Sequence, residues 1–400
     1  MENVLLILAL FISCGLVLVT TPPIVRVAKA KKLFDETNPR KLHTFSVPNL
    51  GGISLFIAII ITTSVLTTRF SAPGFQLVFA AMVMLFFVGV KDDLIFISPQ
   101  TKFIIQLLTA ILLVALGGFS ISNFEGLLFL GKVPPILGQS FTVIFIVLMI
   151  NAYNLIDGID GLAGALGVMA TLFFGIWFFM NGFIAHAILS ASIVGSLLGF
   201  LRFNLFSKKY KIFMGDTGSL LLGLLMAMQV IWFLTYNRIT GIQHQTAHAP
   251  VIALGIIALP LLDTLRVFTL RIMHGKPPFL PDNSHIHHRV LSFLPHHLHS
   301  SIGITIGNLF IIASAFGVSY TGLNINIQFL FILLLGVTTC IFPGLMARLM
   351  RKKNGIVTPL FQQQNGFNLN KDIRNITYKE ESIDWPREKE TAEVEEKQGR

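Results

Sequence analysis

Five aspartates recur at the ends of long apolar segments of this sequence: Asp92, Asp93, Asp157, Asp160 and Asp216. A carboxylate at the edge of a hydrocarbon layer is costly and usually serves a function. Adjacent acids repel each other unless a cation or a proton lies between them. The pair Asp92 and Asp93 therefore suits a hard divalent cation such as Mg²⁺ better than a simple solvated helix end. One of the two is also a candidate general base.

Asn154, Asp157 and Asp160 follow one another at intervals of three residues. On a helix, or on a turn leading into a helix, this spacing places all three on one face. Three polar side chains at this depth indicate ligand binding rather than packing. The glycines beside them suit close packing of helices as well as close approach of a ligand.

Asp216 belongs to a Gly-Asp-Thr-Gly-Ser run that opens another apolar segment. Asp216 and Thr217 would serve as helix caps, and the backbone N–H groups of such a helix start also bind anions. Phe213, just before this run, suits stacking on a nucleobase or packing in the interior.

His285, His287 and His288 form a His-Ile-His-His motif followed by Arg289. A zinc site needs about four ligands, and no cysteine is nearby. Three histidines and an arginine better suit a diphosphate. Arg40 and Lys41, in an earlier basic loop, are either topology signals or ligands of a lipid phosphate.

The composition indicates which class of protein positions these residues. The chain has 400 residues, of which 53% are hydrophobic and 12% are charged, and its mean hydropathy is +0.73. Soluble domains carry about 25% charged residues. We therefore expect an all-α polytopic membrane protein with about eleven transmembrane helices, near residues 3–22, 50–68, 75–91, 102–118, 139–153, 160–179, 183–201, 217–235, 249–271, 302–320 and 325–347.

Lys and Arg concentrate in alternate loops, and the opposite loops hold only Arg69, Lys132 and Arg238. The positive-inside rule places the N-terminus outside and the C-terminus in the cytoplasm. The net charge of +10 therefore indicates anionic lipid headgroups rather than nucleic acid. Residues 1–350 are expected to form the membrane domain, and 351–400 a polar, disordered cytoplasmic tail.

Together, acids for a metal and basic groups for phosphates predict an enzyme at the cytoplasmic interface. There a lipid phosphate would meet a soluble phosphorylated donor, and Mg²⁺ would neutralise the diphosphate.

The order of the motifs resembles one family. Pro-x-x-Gly-Gly, Asp-Asp, Asn-x-x-Asp-Gly-x-Asp-Gly, Gly-Asp-Thr-Gly-Ser and His-Ile-His-His follow one another through residues 1–350. This order resembles the polyprenyl-phosphate N-acetylhexosamine-1-phosphate transferases, or glycosyltransferase family 4, and is most similar to the WecA/TagO branch. The resemblance implies transfer of N-acetylglucosamine 1-phosphate from UDP-N-acetylglucosamine, or another UDP-N-acetylhexosamine, to undecaprenyl phosphate with release of UMP. It also implies the bacterial inner membrane, Mg²⁺ that Mn²⁺ can replace, and a homodimer.

The resemblance also implies a role for each matching residue. Asp92 and Asp93 match an acidic pair used in catalysis, which we assign together with Asp157. Asp216 and Asn154 match residues at the metal. Asp160 and Phe213 match positions at the uracil, His285, His287 and His288 match histidines at the diphosphate or sugar, and Lys102 lies where relatives carry a basic residue beside the site. Arg40 and Lys41 are assigned to the lipid phosphate from their charge, not from the resemblance.

Two other functions fit parts of the pattern. A muramoyl-pentapeptide phosphotransferase shares the chemistry, but we expect three successive histidines in that enzyme. An ion-coupled lipid or sugar transporter also carries intramembrane acids. Its acids are expected near the bilayer midplane, whereas those of this chain gather at one face.

Overall fold

The structure is a computed structural model that describes residues 2–33, 47–275 and 285–354. Within these ranges the chain is helical, without a strand, and only an isolated bridge pairs Asn123 with Lys132. The chain divides after Ala347 into two units, and the fold described below is that of the first. The helices are α1 (Glu2–Ala30), α2 (Gly51–Leu66), α3 (Phe75–Leu94), α4 (Pro99–Ala115), α5 (Pro135–Ile156), α6 (Leu162–Met180), α7 (Ile184–Phe206), α8 (Gly215–Tyr236), α9 (Ala249–Ile256), α10 (Ala258–Met273), α11 (Ile286–Leu291), α12 (His297–Ser319) and α13 (Ile325–Asn354).

The described helices confirm an all-helical, multi-pass membrane protein. Seven of them are long and apolar enough to cross a membrane: α1, α5, α6, α7, α8, α12 and α13. Helices α9 and α10 pass the same test together, with a bend of 78° between them, so up to eight spans meet this criterion. The expected eleven spans also counted α2, α3 and α4. Of these, α2 and α4 have 16 and 17 residues, fewer than the roughly 20 that a hydrocarbon core requires.

Helix α8 lies at the centre of the molecule. Its apolar segment is 94% buried, compared with 22% for α1 and for α13. It packs against α2, α3, α5, α6 and α9. A helix that is apolar on every side belongs in such an interior. The first turn of α8, with Asp216, therefore starts from the most enclosed element of the fold.

Two glycines allow α2 and α3 to approach the start of α8. A Cβ on Gly52 or on Gly89 would overlap the backbone of Thr217. Small residues at helix contacts let backbones come this close in membrane proteins. The ends of three helices are thereby brought together around the Gly-Asp-Thr-Gly-Ser run.

A disordered tail was expected at residues 351–400. Residues 355–400 of this segment lie outside the described residues.

Gly89→Ala should separate α3 from α8, because the new methyl group meets backbone atoms that cannot rotate away. Overpacking of this kind costs about 1–3 kcal/mol. We expect a lower melting temperature in detergent, measured by the fraction that remains monodisperse after heating. Gly15→Ala is the matched control, since a Cβ there meets nothing within 4 Å. An unchanged melting temperature for Gly89→Ala would contradict the close contact.

Candidate active site

The loop before α8 is held by the Pro-x-x-Gly-Gly motif. Phe213 donates its N–H to the carbonyl of Pro48 at 2.9 Å. In return, Gly51 and Gly52 donate to the carbonyls of Phe213 and Met214, also at 2.9 Å. These backbone hydrogen bonds place Phe213 and the first turn of α8 beside the start of α2. One sequence motif therefore positions another.

The Asp93 carboxylate binds the first turn of α8. It accepts hydrogen bonds from the N–H of Asp216 at 2.7 Å, the N–H of Thr217 at 3.0 Å and the Thr217 hydroxyl at 2.5 Å. The first N–H groups of a helix lack partners within the helix, and a negative charge there interacts favourably with the helix dipole. Asp93 thus fixes the start of α8 from a neighbouring helix. Its catalytic role stays a prediction.

Lys102 forms ion pairs with both Asp92 and Asp216. Its ammonium group lies 2.5 Å from Oδ1 of Asp216 and 3.0 Å from Oδ2 of Asp92. The Asn154 amide also donates to Oδ1 of Asp216, and the N–H of Ile97 donates to Asp92 at 2.8 Å. Charge-assisted hydrogen bonds are stronger than neutral ones. Four helices, α3, α4, α5 and α8, are linked by this network.

Asp157 differs from the other four acids. It follows the last turn of α5 and is partly buried. Among the described residues, no group donates a hydrogen bond to its carboxylate. Burial, and then the negative charges of Asp216, Asp160 and Asp93, raise the pKa of Asp157 well above its ordinary value. A bound cation would relieve this repulsion.

A pocket of about 290 Å³ opens between these elements. Asn49, Asn204, Ser219 and His297 contribute to its wall, as do the backbone segments around Gly158 and Gly215. The pocket brings six of the sequence-predicted site residues together: Asp93, Asn154, Asp157, Asp160, Phe213 and Asp216.

Asp160 also lines the pocket. Lys211 lies 2.7 Å and His297 3.4 Å from its Oδ2, and the Ser301 hydroxyl donates to its carbonyl at 2.7 Å. Burial alone would raise the pKa of Asp160, but the hydrogen bonds and charges of His297 and Lys211 hold it below its ordinary value. The same lysine lies over the ring of Phe213, 5.7 Å from its centre. Asp160 is thus a fixed anion beside a partly exposed aromatic ring.

The histidine motif reaches the pocket wall through Gly158. His287 is buried against this glycine, where any Cβ would overlap its ring. His285 stacks on His287 at 5.8 Å, and His288 lies 4.2 Å from His287, between ring centres. Burial, together with the charges of His288 and His285, lowers the pKa of His287 to about 3. His287 is therefore neutral near pH 7.

The remaining predicted residues lie further from the pocket. Asp92 and Lys102 connect to it through Asp216. Arg40 and Lys41 lie outside the described residues.

Sequence reasoning missed Lys211, His297 and Asp263. Lys211 is one of several lysines in a basic loop, and His297 lies outside the His-Ile-His-His motif. Asp263 lies within a predicted span, and an acid in such a position signals a function. Its carboxylate pairs with His285 Nδ1 at 2.9 Å.

The donor set fits Mg²⁺. Mg²⁺ is commonly held by one or two carboxylates and keeps its other positions for water and substrate phosphates. Asp157 and Asp216 supply two carboxylates in one pocket. The described residues form no group of three or more acidic, histidine or cysteine ligands, which is the kind of group that a structural zinc site needs.

The profile of glycosyl transferase family 4 matches residues 75–234. The undecaprenyl-phosphate alpha-N-acetylglucosaminyl 1-phosphate transferase of Escherichia coli O157:H7 is 35% identical over 271 residues, which is 66% of this chain and 71% of that protein. A Bacillus subtilis (strain 168) protein named "Probable undecaprenyl-phosphate N-acetylglucosaminyl 1-phosphate transferase" is 32% identical over 318 residues, 77% of this chain and 84% of that protein. With its motifs gathered around one pocket, the chain belongs to glycosyl transferase family 4.

Proposed function

We propose that this protein transfers N-acetylglucosamine 1-phosphate from UDP-N-acetylglucosamine to undecaprenyl phosphate and releases UMP. The observation that carries the proposal is the pocket at the start of α8, where unpaired and paired carboxylates lie beside Lys102, Lys211 and the histidine motif. The names of the relatives agree with this reaction.

We infer that the pocket faces the cytoplasm of a bacterium, at its inner membrane. The basic loops support this orientation through the positive-inside rule, and so does the soluble nucleotide donor. If α2, α3 and α4 also cross the membrane, the α9–α10 pair completes eleven spans, with the N-terminus outside.

We propose that Asp157 and Asp216 hold Mg²⁺, for which Mn²⁺ can substitute, and that Asn154 orients Asp216. Mg²⁺ supplies neutralisation of the diphosphate charge and of the charge that develops on the leaving UMP. Asn154 donates to both Asp216 and Ser219, so its amide holds the carboxylate in one orientation.

For the donor, we propose that Asp160 accepts hydrogen bonds from the uracil and that Phe213 stacks on it. Lys211 holds Asp160 in place and lies over the Phe213 ring. His285, His287 and His288 would then lie on the side of the diphosphate and sugar, and Arg40 and Lys41 at the acceptor phosphate.

The proposed reaction is a direct displacement. A phosphate oxygen of undecaprenyl phosphate attacks the β-phosphorus of the donor. The bond from this phosphorus to the bridging oxygen breaks, and UMP leaves with that oxygen. Asp92 is assigned to positioning the acceptor phosphate through Lys102, whose ammonium group it contacts at 3.0 Å.

The test is UMP release by purified protein in detergent with undecaprenyl phosphate, Mg²⁺ and UDP-N-acetylglucosamine. We expect turnover that stops with a chelator and returns with Mg²⁺ or Mn²⁺. Release of UMP only from UDP-N-acetylmuramoyl-pentapeptide would overturn the choice of donor. Folded protein that releases UMP from neither donor would overturn the reaction itself.

Asp157→Asn and Asp93→Ala should have different effects. Asp157→Asn should lower kcat at least about 10²-fold without loss of thermal stability, because its carboxylate has no described donor and is repelled by its neighbours. Asp93→Ala should lower the free energy of unfolding by about 1–3 kcal/mol, because three donors at α8 lose their acceptor. Added Mg²⁺ should raise the melting temperature of the wild type but not of Asp157→Asn. The reverse pattern of stability would contradict these assignments.

Lys211→Ala should raise the KM for the UDP-sugar about 10-fold with a smaller change in kcat, an effect of about 1.4 kcal/mol on binding. The reason is that Asp160 loses the cation that fixes it. Lys209→Ala is the matched control, since Lys209 lies over the ring of Tyr210 instead. Equal KM values for both variants would remove Lys211 from the donor site.

A further inference from the structure

Asp263 is a fully buried acid of α10 that lies outside the pocket. Its Oδ1 lies 2.6 Å from Arg266 on the same helix. Its Oδ2 lies 2.9 Å from His285 Nδ1, and the N–H of Ile286 donates to the carboxylate at 3.1 Å and 3.2 Å. A buried charge is stable only when it is paired and hydrogen-bonded. Asp263 meets this condition by binding the start of the histidine motif.

The contact determines the tautomer of His285. An ionised carboxylate only accepts hydrogen bonds, so the ring nitrogen that faces it must carry a proton. Nδ1 of His285 is therefore the donor. In the neutral ring, Nε2 is then the acceptor, and this nitrogen is buried without a hydrogen-bond partner in the described structure. A carboxylate behind a histidine fixes ring orientation in the same way at many active sites.

The fixed orientation of the His285 ring affects the pocket through two contacts. Its ring stacks on that of His287, with 6° between the two planes. His287 in turn packs on Gly158, the residue next to Asp157. Asp263 is thus connected to the loop of Asp157 and Asp160 through two rings and one glycine contact.

We propose that Asp263 is a positioning residue: it holds His285 in one tautomer and thereby seats His287 against the loop that carries Asp157. The proposal rests on the proposed function, because it assigns Asp263 to the same transfer reaction. Asp263 touches neither substrate and acts only through His285.

The first test is a double-mutant cycle on UMP release per folded enzyme. Asp263→Asn removes the charge at nearly constant volume, and we expect kcat to fall on the order of 10–100-fold. His285→Ala should cause a similar loss. In the double variant, kcat should be less than about 3-fold below that of His285→Ala alone. The reason is that Asp263 acts through His285, which is already removed.

Asn308→Ala is the control for damage to the same helices. Asn308 is buried and bonds Leu259 N and the Ile256 carbonyl at the α9–α10 bend, each at 3.2 Å. Asn308→Ala should reduce the amount of folded protein and leave kcat per folded molecule nearly unchanged. Its small effect on kcat should multiply with that of His285→Ala in the double variant. If Asp263→Asn behaves like this control, Asp263 is only a structural support and the proposal is wrong.

A second measurement does not depend on activity. Hydrogen exchange should become faster in Asp263→Asn at residues 285–294 and at residues 157–161, but not at the C-terminal end of α8. Unchanged exchange at both segments would overturn the proposal even in an active enzyme. Conversely, faster exchange in a protein that transfers no sugar phosphate would leave the positioning intact and refute the proposed function. If Asp263→Asn does not fold, Asp263→Glu retains the charge opposite Arg266 and serves in the same cycle and exchange experiment.

Discussion

The hydrogen bonds between the Asp93 carboxylate and the first turn of α8 are the constraint on which the candidate site depends. Helix α8 is enclosed along its length, so packing sets its position. Its first turn, however, lines a polar pocket. Thr217 is buried there, and buried N–H groups without a hydrogen-bond partner are costly. Asp93 satisfies them from α3, and Gly89 on the same helix allows the approach. The position of Asp216 then follows from the same turn.

The charges of the pocket are unevenly compensated. Asp92, Asp160 and Asp216 each have a lysine within 3.0 Å, and Asp93 has three donors from α8. Asp157 lies among them without a described donor. Asp157 is only partly buried, but burial and the charges of three neighbouring acids disfavour its ionised form. Such local violations are typical of functional sites, and a divalent cation is the simplest ligand that would relieve this one.

Much of this arrangement could be predicted from the sequence, because apolar segments of membrane length and acids at their ends are local signals. Every predicted span coincides with a described helix or with the α9–α10 pair. The number of spans was less accessible, since it depends on short helices such as α2 and on a bend at Ile257, between Gly255 and Pro260, whose angle of 78° the sequence does not give. Lys211 and His297 were missed because their importance comes from contacts with Asp160, 51 and 137 residues away.

The motifs of this chain are, to a large extent, contact surfaces for one another. The Pro-x-x-Gly-Gly motif pairs with the backbone before α8, Asp93 binds the Gly-Asp-Thr-Gly-Ser turn, and His287 packs on Gly158. A motif residue therefore need not touch a substrate. Reading each motif alone as a ligand site assigns too many residues to chemistry. The contacts divide them into residues that hold the pocket together and those that face it. In the second group, Asp157 foremost has carboxylate oxygens left to offer a metal ion.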